Sequence, residues 1–153
     1  MGLNIRRVVT GHDADGKPVV CFDDHGQHTS SWRPQMEQQQ FWTTTDLPVA
    51  LQDDGQDRGA RTVGTTIKGG SIFKVVEFGP GVTPRIHRTD SIDYAVVLSG
   101  SIEMALGDDT VVQLHAGDVL IQRATVHHWI NRGDQPCRMA FVLVSALGDR
   151  AFG

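Results

Sequence analysis

The sequence is short of cysteine and has no long apolar run. Only two cysteines, Cys21 and Cys137, occur among its 153 residues. The N-terminus shows no apolar segment typical of a secretory signal, so two free thiols are expected rather than a disulfide framework. No window approaches the apolar length that a membrane-spanning helix requires. These absences predict a cytoplasmic protein with no membrane partner.

Positive charge is scarce as well. The chain has 14 Lys and Arg against 18 Asp and Glu, for a net charge of −4, and no run of basic residues occurs. Nucleic acids and acidic membrane surfaces both require a basic footprint on the protein. We therefore expect no nucleic-acid partner. The apolar side chains expected in the barrel wall favour a small organic molecule as the ligand.

A helical period is missing too, with PQMEQQQ as the one weak helix candidate. Short apolar runs between turn residues take its place. RRVV and VVCF flank the turn residues Asp15 and Gly16, which predicts a hairpin. Residues 23–39 are polar without an apolar period, and the following QFWTTT predicts an edge strand or an arm.

From Ser71 onward the chain contains seven strand-like runs: SIFKVVEF, SIDYAVVLS, SIEMAL, TVVQL, DVLIQ, VHHWIN and CRMAFVLVSA. Closely spaced short strands with Gly, Asp and Pro turns predict a sandwich or barrel. Residues 52–70 are rich in glycine and poor in apolar side chains, which predicts a mobile loop or a lid. The length predicts a single domain over residues 1–153, with N-terminal strands or an arm in 1–50 and the barrel in 71–145.

Histidine and aspartate side chains, which can act in catalysis or bind a metal, occur in or next to two of these strand-like runs. Alternate residues of a strand face the same side, so His87 and Asp93 share one face, as do His127 and Trp129, while His128 takes the other. A buried carboxylate is costly unless it is paired, so Asp93 needs a cationic or metal neighbour. The two histidines and the carboxylate are expected to converge inside one barrel.

The spacing of these residues resembles the two motifs of the cupin superfamily. The first motif, G-x5-H-x-H-x3-4-E-x6-G, is matched by Gly81, His87, Thr89, Asp93 and Gly100. The second motif, G-x4-5-P-x-G-x2-H-x3-N, is matched by Gly117, Gln122, Ala124, His127 and Asn131. Thr89 replaces the middle histidine, Asp93 the glutamate, Gln122 the proline and Ala124 the glycine. The segment RRVVTGHDADGK is also similar to the N-terminus of small single-domain cupins, so the resemblance covers most of the chain.

The resemblance implies an all-β fold, a jelly-roll barrel, and a homodimer that exchanges N-terminal strands. The exchanged segment is expected within residues 5–22 or 40–45. The resemblance also implies a divalent metal (Zn, Fe, Mn or Ni) with His87, Asp93 and His127 as its ligands. The substitution at Thr89 leaves a metal-free site as the alternative.

The subgroup resembled includes enzymes that dehydrate or decarboxylate polyketide-like or aromatic intermediates, which favours a lyase. His87 and His127 would be the acid–base pair, and Asp93 would orient one imidazole. The expected substrate pocket consists of Thr89, Trp129, Met104 and Phe73. A non-catalytic binding cupin and an iron-dependent oxygenase remain alternatives. The sequence leaves open which substrate is bound and which wall residues face the pocket.

Overall fold

A computed structural model describes residues 2–107 and 109–147, and nearly all of its regular structure is β. The strands of the described residues are β1 (Arg6–His12), β2 (Pro18–His25), β3 (Thr29–Arg33), β4 (Met36–Thr44), β5 (Ser71–Phe78), β6 (Ser91–Ser99), β7 (Ser101–Leu106), β8 (Val111–His115), β9 (Val119–Arg123), β10 (His127–Ile130) and β11 (Cys137–Ser145). A 3-10 turn (Arg58–Ala60) is the other element. Within these residues, no helix is long and apolar enough to cross a membrane.

Two antiparallel sheets enclose the core. The larger has the order β3-β4-β5-β11-β6-β9, and the smaller has the order β10-β7-β8. The main apolar cluster takes members from both sheets, among them Val97, Met139, Ile102 and Trp129. The seven strands predicted from Ser71 onward are therefore confirmed, and so is the all-β fold class.

Alternation decides which side chains reach the interior. In β6, Asp93, Ala95 and Val97 are buried while Tyr94 and Leu98 are exposed. In β10, His127 is buried and the next residue, His128, is only partly covered. The face predicted for the histidine and carboxylate positions is therefore the inner one.

Two motif positions between strands, Gly100 and Ala124, have a positive φ angle. Gly100 joins β6 to β7 at φ 76°, and a Cβ there would lie 2.5 Å from the carbonyl oxygen of Pro136. Ala124 adopts φ 52° at the position where the cupin motif has glycine. A non-glycine residue in this region is uncommon. The substitution at Ala124 therefore retains the glycine-like turn ahead of β10.

The predicted N-terminal hairpin is formed by β1 and β2, which pair only with each other among the described strands. The segment before it packs on the outer face of the larger sheet, where Leu3 contacts Phe41 and Val75. Arg7 donates to the carbonyl oxygen of Phe41 at 3.1 Å and is bracketed by the carboxylates of Asp24 and Asp57. The hairpin of this chain thus docks on its own sheet, and strand exchange in a dimer stays a prediction.

The polar stretch before QFWTTT departs from the sequence expectation. The weak helix candidate PQMEQQQ is wrong, because it lies largely within β4, and β4 is an inner strand between β3 and β5 rather than an edge. Two buried glutamines are satisfied by partners that the sequence does not reveal. Gln39 exchanges hydrogen bonds of 3.0 Å with the backbone of Ile5, and Gln38 accepts one from Lys74. Hydrogen bonds to residues distant in the sequence therefore stabilise a strand in a segment whose sequence has no apolar period.

Candidate active site

A cavity of about 480 Å³ opens between the two sheets. Its walls combine apolar and polar side chains: Trp32, Arg33, Met36, Gln38, Lys74, Val76, Phe78, Arg85, His87, Thr89, Asp93, His127, Trp129, Phe141 and Leu143. Gly64 and Thr65 complete the lining. They belong to the glycine-rich segment 52–70, for which the sequence predicted either a mobile loop or a lid.

His87 and His127 form the centre of this cavity wall. Their backbones are paired by reciprocal N–H to O=C bonds of 3.1 and 3.0 Å, and their ring centroids lie 4.5 Å apart. Each Nδ1 donates to a carbonyl oxygen two residues earlier, of Arg85 at 2.9 Å and of Thr125 at 2.8 Å. These bonds place a proton on Nδ1 and leave a lone pair on each Nε2.

The two Nε2 atoms have no hydrogen-bond partner among the described residues. No fully buried side-chain nitrogen or oxygen in this part of the chain lacks a partner. The Nε2 atoms of His87 and His127 are therefore reachable from the cavity, and each presents a proton acceptor to a bound molecule.

Burial lowers the pKa of both imidazoles. For His87 the hydrogen bond to the Arg85 carbonyl opposes this shift, and the positive charges of Arg85 and Arg33 add to it. For His127 the hydrogen bond to the Thr125 carbonyl opposes the lowering of its pKa, and the charge of His87 adds to it. Both rings are consequently neutral at pH 7, the state in which a histidine acts as a base.

Asp93 lies on the same inner face and is held from its own strand. Its Oδ1 accepts a 2.6 Å hydrogen bond from Ser91 Oγ, and Ser91 Oγ lies 2.9 Å from Thr89 Oγ1. Burial raises the pKa of Asp93, while the bond from Ser91 and the charges of Lys74 and His87 act against the shift. Asp93 is thus an electrostatic neighbour of the histidines, and the structure shows no hydrogen bond between it and either ring.

Lys74 is a buried, charged cavity residue that sequence reasoning missed. It sits in the middle of β5 with 9% of its surface exposed, and its Nζ donates to Gln38 Oε1 at 3.1 Å. The ammonium also lies 5.3 Å from the ring centroid of Trp32. Burial lowers the pKa of Lys74 to about 8, and the charge of Asp93 opposes that shift. The available signal was a single lysine in the apolar run SIFKVVEF.

The donors around the histidines do not fit the predicted metal centre. In residues 2–107 and 109–147, no group of three or more His, Cys, Asp or Glu side chains has the arrangement that holds a metal ion. The set predicted from the resemblance, His87, Asp93 and His127, is therefore not assembled as three ligands. Asp93 is held by Ser91, and Thr89 contributes a hydroxyl that is bonded to Ser91 where the motif has a histidine. No step below is routed through a metal.

Of the four residues predicted for the substrate pocket, two line the cavity and two do not. Thr89 and Trp129 line the cavity. Phe73 does not, because it has the opposite parity to Lys74 in β5 and is 44% exposed on the outer face of the sheet. Met104 is 3% exposed and packs in the core without lining the cavity. The pocket prediction is thus wrong for Phe73 and Met104.

A second cavity of about 830 Å³ lies outside the sandwich, between the hairpin, residues 46–53 and the outer face of the larger sheet. The arginines of its lining are already paired with carboxylates: Arg6 with Asp23, Arg7 with Asp24 and Asp57, and Arg58 with Asp54. The smaller inner cavity, where the histidines and Lys74 have no such partners, is the stronger candidate for chemistry.

Comparison with known proteins agrees with this architecture. A cupin domain family model matches residues 74–144. The chain is 36% identical over 144 residues to the cupin-domain-containing oxidoreductase fogC of Aspergillus ruber, covering 90% of this chain and 71% of that protein. It is 43% identical over 147 residues to the phomopsin biosynthesis cluster protein C' of Diaporthe leptostromiformis, covering 92% and 78%.

The solved structure of KdgF from Halomonas sp. shares the fold, with a TM-score of 0.50 and 15% identity over 76% of this chain and 86% of that one. The two motifs, the sandwich that they build and the extended similarity to cupin-domain proteins all point to the same conclusion. The chain belongs to the cupin family.

Proposed function

We propose that the chain is a small-molecule enzyme that removes a proton next to a carbonyl group and expels a β-hydroxyl, a lyase reaction. The observation that carries this proposal is the pair of neutral imidazoles of His87 and His127. Each has its Nδ1 proton fixed by a backbone carbonyl and its Nε2 open to the cavity. A positioned neutral histidine is the common general base for such proton transfers.

The chemistry balances without a redox cofactor. One Nε2 accepts the proton from the carbon beside the carbonyl, and the electron pair forms the enolate. As the C–O bond at the β-carbon breaks, the hydroxyl takes the proton back from the imidazolium and leaves as water. The centroid of the second ring lies 4.5 Å from that of the first. At this distance both rings can contact the same substrate, so the proton that one ring removes can pass through the departing hydroxyl to the other. The Nδ1 bonds to the carbonyl oxygens of Arg85 and Thr125 keep both rings in the same orientation while the proton moves on and off Nε2.

The cavity walls favour an aromatic or polyketide-like substrate. Phe78, Trp129 and Phe141 line the cavity, and Trp129 packs edge-on against His127 with centroids 5.6 Å apart. A volume of about 480 Å³ suits a molecule of two or three fused rings. Ring systems with a hydroxyl group on the carbon β to a carbonyl group have both the acidic C–H bond on which these bases can act and the group that leaves as water.

The relatives support an enzyme and raise a second candidate. The similar protein from Aspergillus ruber is named an oxidoreductase, and the one from Diaporthe leptostromiformis belongs to a biosynthesis cluster. An oxidation could begin with the same proton removal, followed by electron transfer from the resulting anion to dioxygen as the oxidant. The two candidates share the base and differ in whether water is lost or dioxygen is consumed.

Two matched probes separate these steps. α-Tetralone in deuterium oxide reports proton abstraction alone, because it has no leaving group. β-Hydroxytetralone reports the full elimination, because loss of water yields fluorescent α-naphthol. We expect enzyme-dependent deuterium exchange on the first probe and naphthol on the second, with loss of both in His87→Ala and His127→Ala. Dioxygen uptake without naphthol would favour the oxidoreductase, and binding without exchange or product would identify a non-catalytic binding protein.

A further inference from the structure

We propose that the cavity is selective for aromatic carboxylates and that Lys74 receives the ionised carboxylate. This inference rests on the proposed function, since it assigns a substrate class to the same cavity. It starts from Lys74, the one cation buried inside the sandwich among residues 2–107 and 109–147. Lys74 is 9% exposed, yet it occupies a strand position whose neighbours on the same face, Ile72 and Val76, are apolar core residues.

The ammonium of Lys74 has donors to spare. A lysine carries three N–H donors, and the described residues provide one hydrogen-bond acceptor, Gln38 Oε1 at 3.1 Å. No ion pair joins Lys74 to a carboxylate within this part of the chain. The ring of Trp32 offers only a cation–π contact at 5.3 Å. The remaining donors are therefore available to a molecule in the cavity.

The charge of the whole cavity has the same sign. Its ionisable lining consists of Arg33, Lys74, Arg85, Asp93 and the two neutral histidines. Three cations face a single carboxylate, so two positive charges remain when Asp93 is ionised and three when it is protonated. The chain as a whole has a net charge of −4. A cationic cavity in an acidic protein concentrates anionic ligands by focusing the field.

The arrangement along the cavity suits a ligand with one charged end. Of the three cations in the cavity lining, Arg85 is exposed and Arg33 is half-buried. Lys74 is the deepest of the three, on the inner face between Ile72 and Val76. An aromatic carboxylate would pass the arginines, place its carboxylate at Lys74 and leave its ring against Phe78 and Trp129. A desolvated ammonium binds a carboxylate more strongly than an exposed one does, because water screens the pair less.

The alternative is that Lys74 serves only to satisfy Gln38. A binding experiment distinguishes the two roles, because a structural lysine would not discriminate between ligands of equal shape. Naphthoate and naphthamide have the same ring system and differ in charge. We expect isothermal titration at about pH 7 to give an affinity for naphthoate that is about ten-fold or more above that for naphthamide. Equal affinities in the unaltered protein would overturn the proposal.

Lys74→Met keeps the length and apolar character of the stem and removes the charge. This variant should bind the two probes within about two-fold of one another. Lys17→Met, in the exposed hairpin turn, is the matched control and should keep the preference. The contrary result is a Lys74→Met protein that keeps the naphthoate-to-naphthamide affinity ratio of the unaltered protein. That result would show that the arginines, not Lys74, bind the carboxylate, and it would refute the assignment.

The unaltered protein offers a test without any substitution. With a pKa of about 8, Lys74 loses its charge as the pH rises from about 7 to about 10, while the arginines and naphthoate stay ionised and the histidines stay neutral. The preference for naphthoate should shrink over that range, and a constant preference would contradict the role of Lys74. Deuterium exchange on neutral α-tetralone does not depend on anion recognition, so failure of this inference and failure of the proposed lyase chemistry are told apart.

Discussion

His87 and His127 lie 40 positions apart in the chain, yet their main chains exchange hydrogen bonds of 3.1 and 3.0 Å in an isolated antiparallel bridge. The bridge brings the ring centroids to 4.5 Å without a hydrogen bond between the rings. Since the pairing uses backbone atoms only, either imidazole can be removed while the bridge remains. The two side chains are therefore accessible to substitution without loss of the local fold.

The first prediction concerns these rings. His87→Ala and His127→Ala should each lower deuterium exchange on α-tetralone by about 10²-fold or more, because the Nε2 acceptor is lost. The thermal midpoint should change little, since the bridge is preserved. His128→Ala is the control, because His128 alternates with His127 and does not line the cavity. Damage from His128→Ala equal to that from His127→Ala would mean that the assigned face is wrong.

The pH dependence of the exchange tests the histidine pKa values. A base works in its neutral form, and burial places the pKa of both rings below the ordinary value of about 6.5. The midpoint at which exchange declines should therefore lie at a pH below the ordinary histidine value. A rate profile on α-tetralone measures this. An inflection at or above the ordinary value would contradict the neutral, desolvated pair.

Asp93→Asn removes a negative charge but keeps an oxygen that can accept the hydrogen bond from Ser91. Asp93 raises the pKa of both Lys74 and His87, so the substitution should lower both. We expect weaker turnover, and loss of the naphthoate preference at a lower pH than in the unaltered protein. Asp134→Asn, on an exposed turn, serves as the control. An unchanged pH profile of naphthoate binding in Asp93→Asn would show that this carboxylate does not act on the cavity.

Arg7 supplies a prediction on stability. Its side chain is 4% exposed and lies 2.6 Å from Asp24 and 2.7 Å from Asp57. Arg7→Met should destabilise the protein by about 2 kcal/mol in urea unfolding, because two partly buried carboxylates lose their partner. Arg6→Met removes an exposed pair with Asp23 and should be nearly silent.

The same network predicts a dependence on acid. The Arg7 guanidinium holds the pKa of Asp57 well below its ordinary value of 3.8. A depressed folded-state pKa contributes stability that is present in full above the ordinary value and is lost as the pH falls through the lowered one. The difference between unaltered and Arg7→Met protein should therefore shrink as the pH drops below about 4. A difference that persists in acid would argue for lost packing instead of lost charge pairing.

The homodimer with exchanged N-terminal strands is the last prediction. The larger sheet ends in β3 and β9, and the β1–β2 hairpin pairs with neither among the described strands. Uncovered strand edges and a separable hairpin are the features from which strand exchange starts. Sedimentation at micromolar concentration should give the dimer mass, and a monomer mass would contradict the prediction.

The sequence by itself determined the strands of the barrel region and the face on which His87 and Asp93 lie. It could do so because a strand has a strict period of two and because glycine marks turns such as that at Gly100. The order of motif residues also identified the cupin fold, even where Ala124 replaces a glycine and keeps the positive φ.

Only the tertiary structure decided which face of β5 points into the cavity. Both sets of alternate residues in SIFKVVEF contain apolar side chains, so periodicity alone favours neither, and Phe73 was assigned to the pocket that Lys74 occupies. Burial of a lysine costs desolvation, and nothing local in the sequence reveals that Gln38 lies within hydrogen-bonding distance. Partners 36 positions apart come together through strand pairing. The pairing of β4 with β5 depends on the whole sheet. It places the charged side chain of Lys74 in the cavity wall, although the sequence of β5 is mostly apolar.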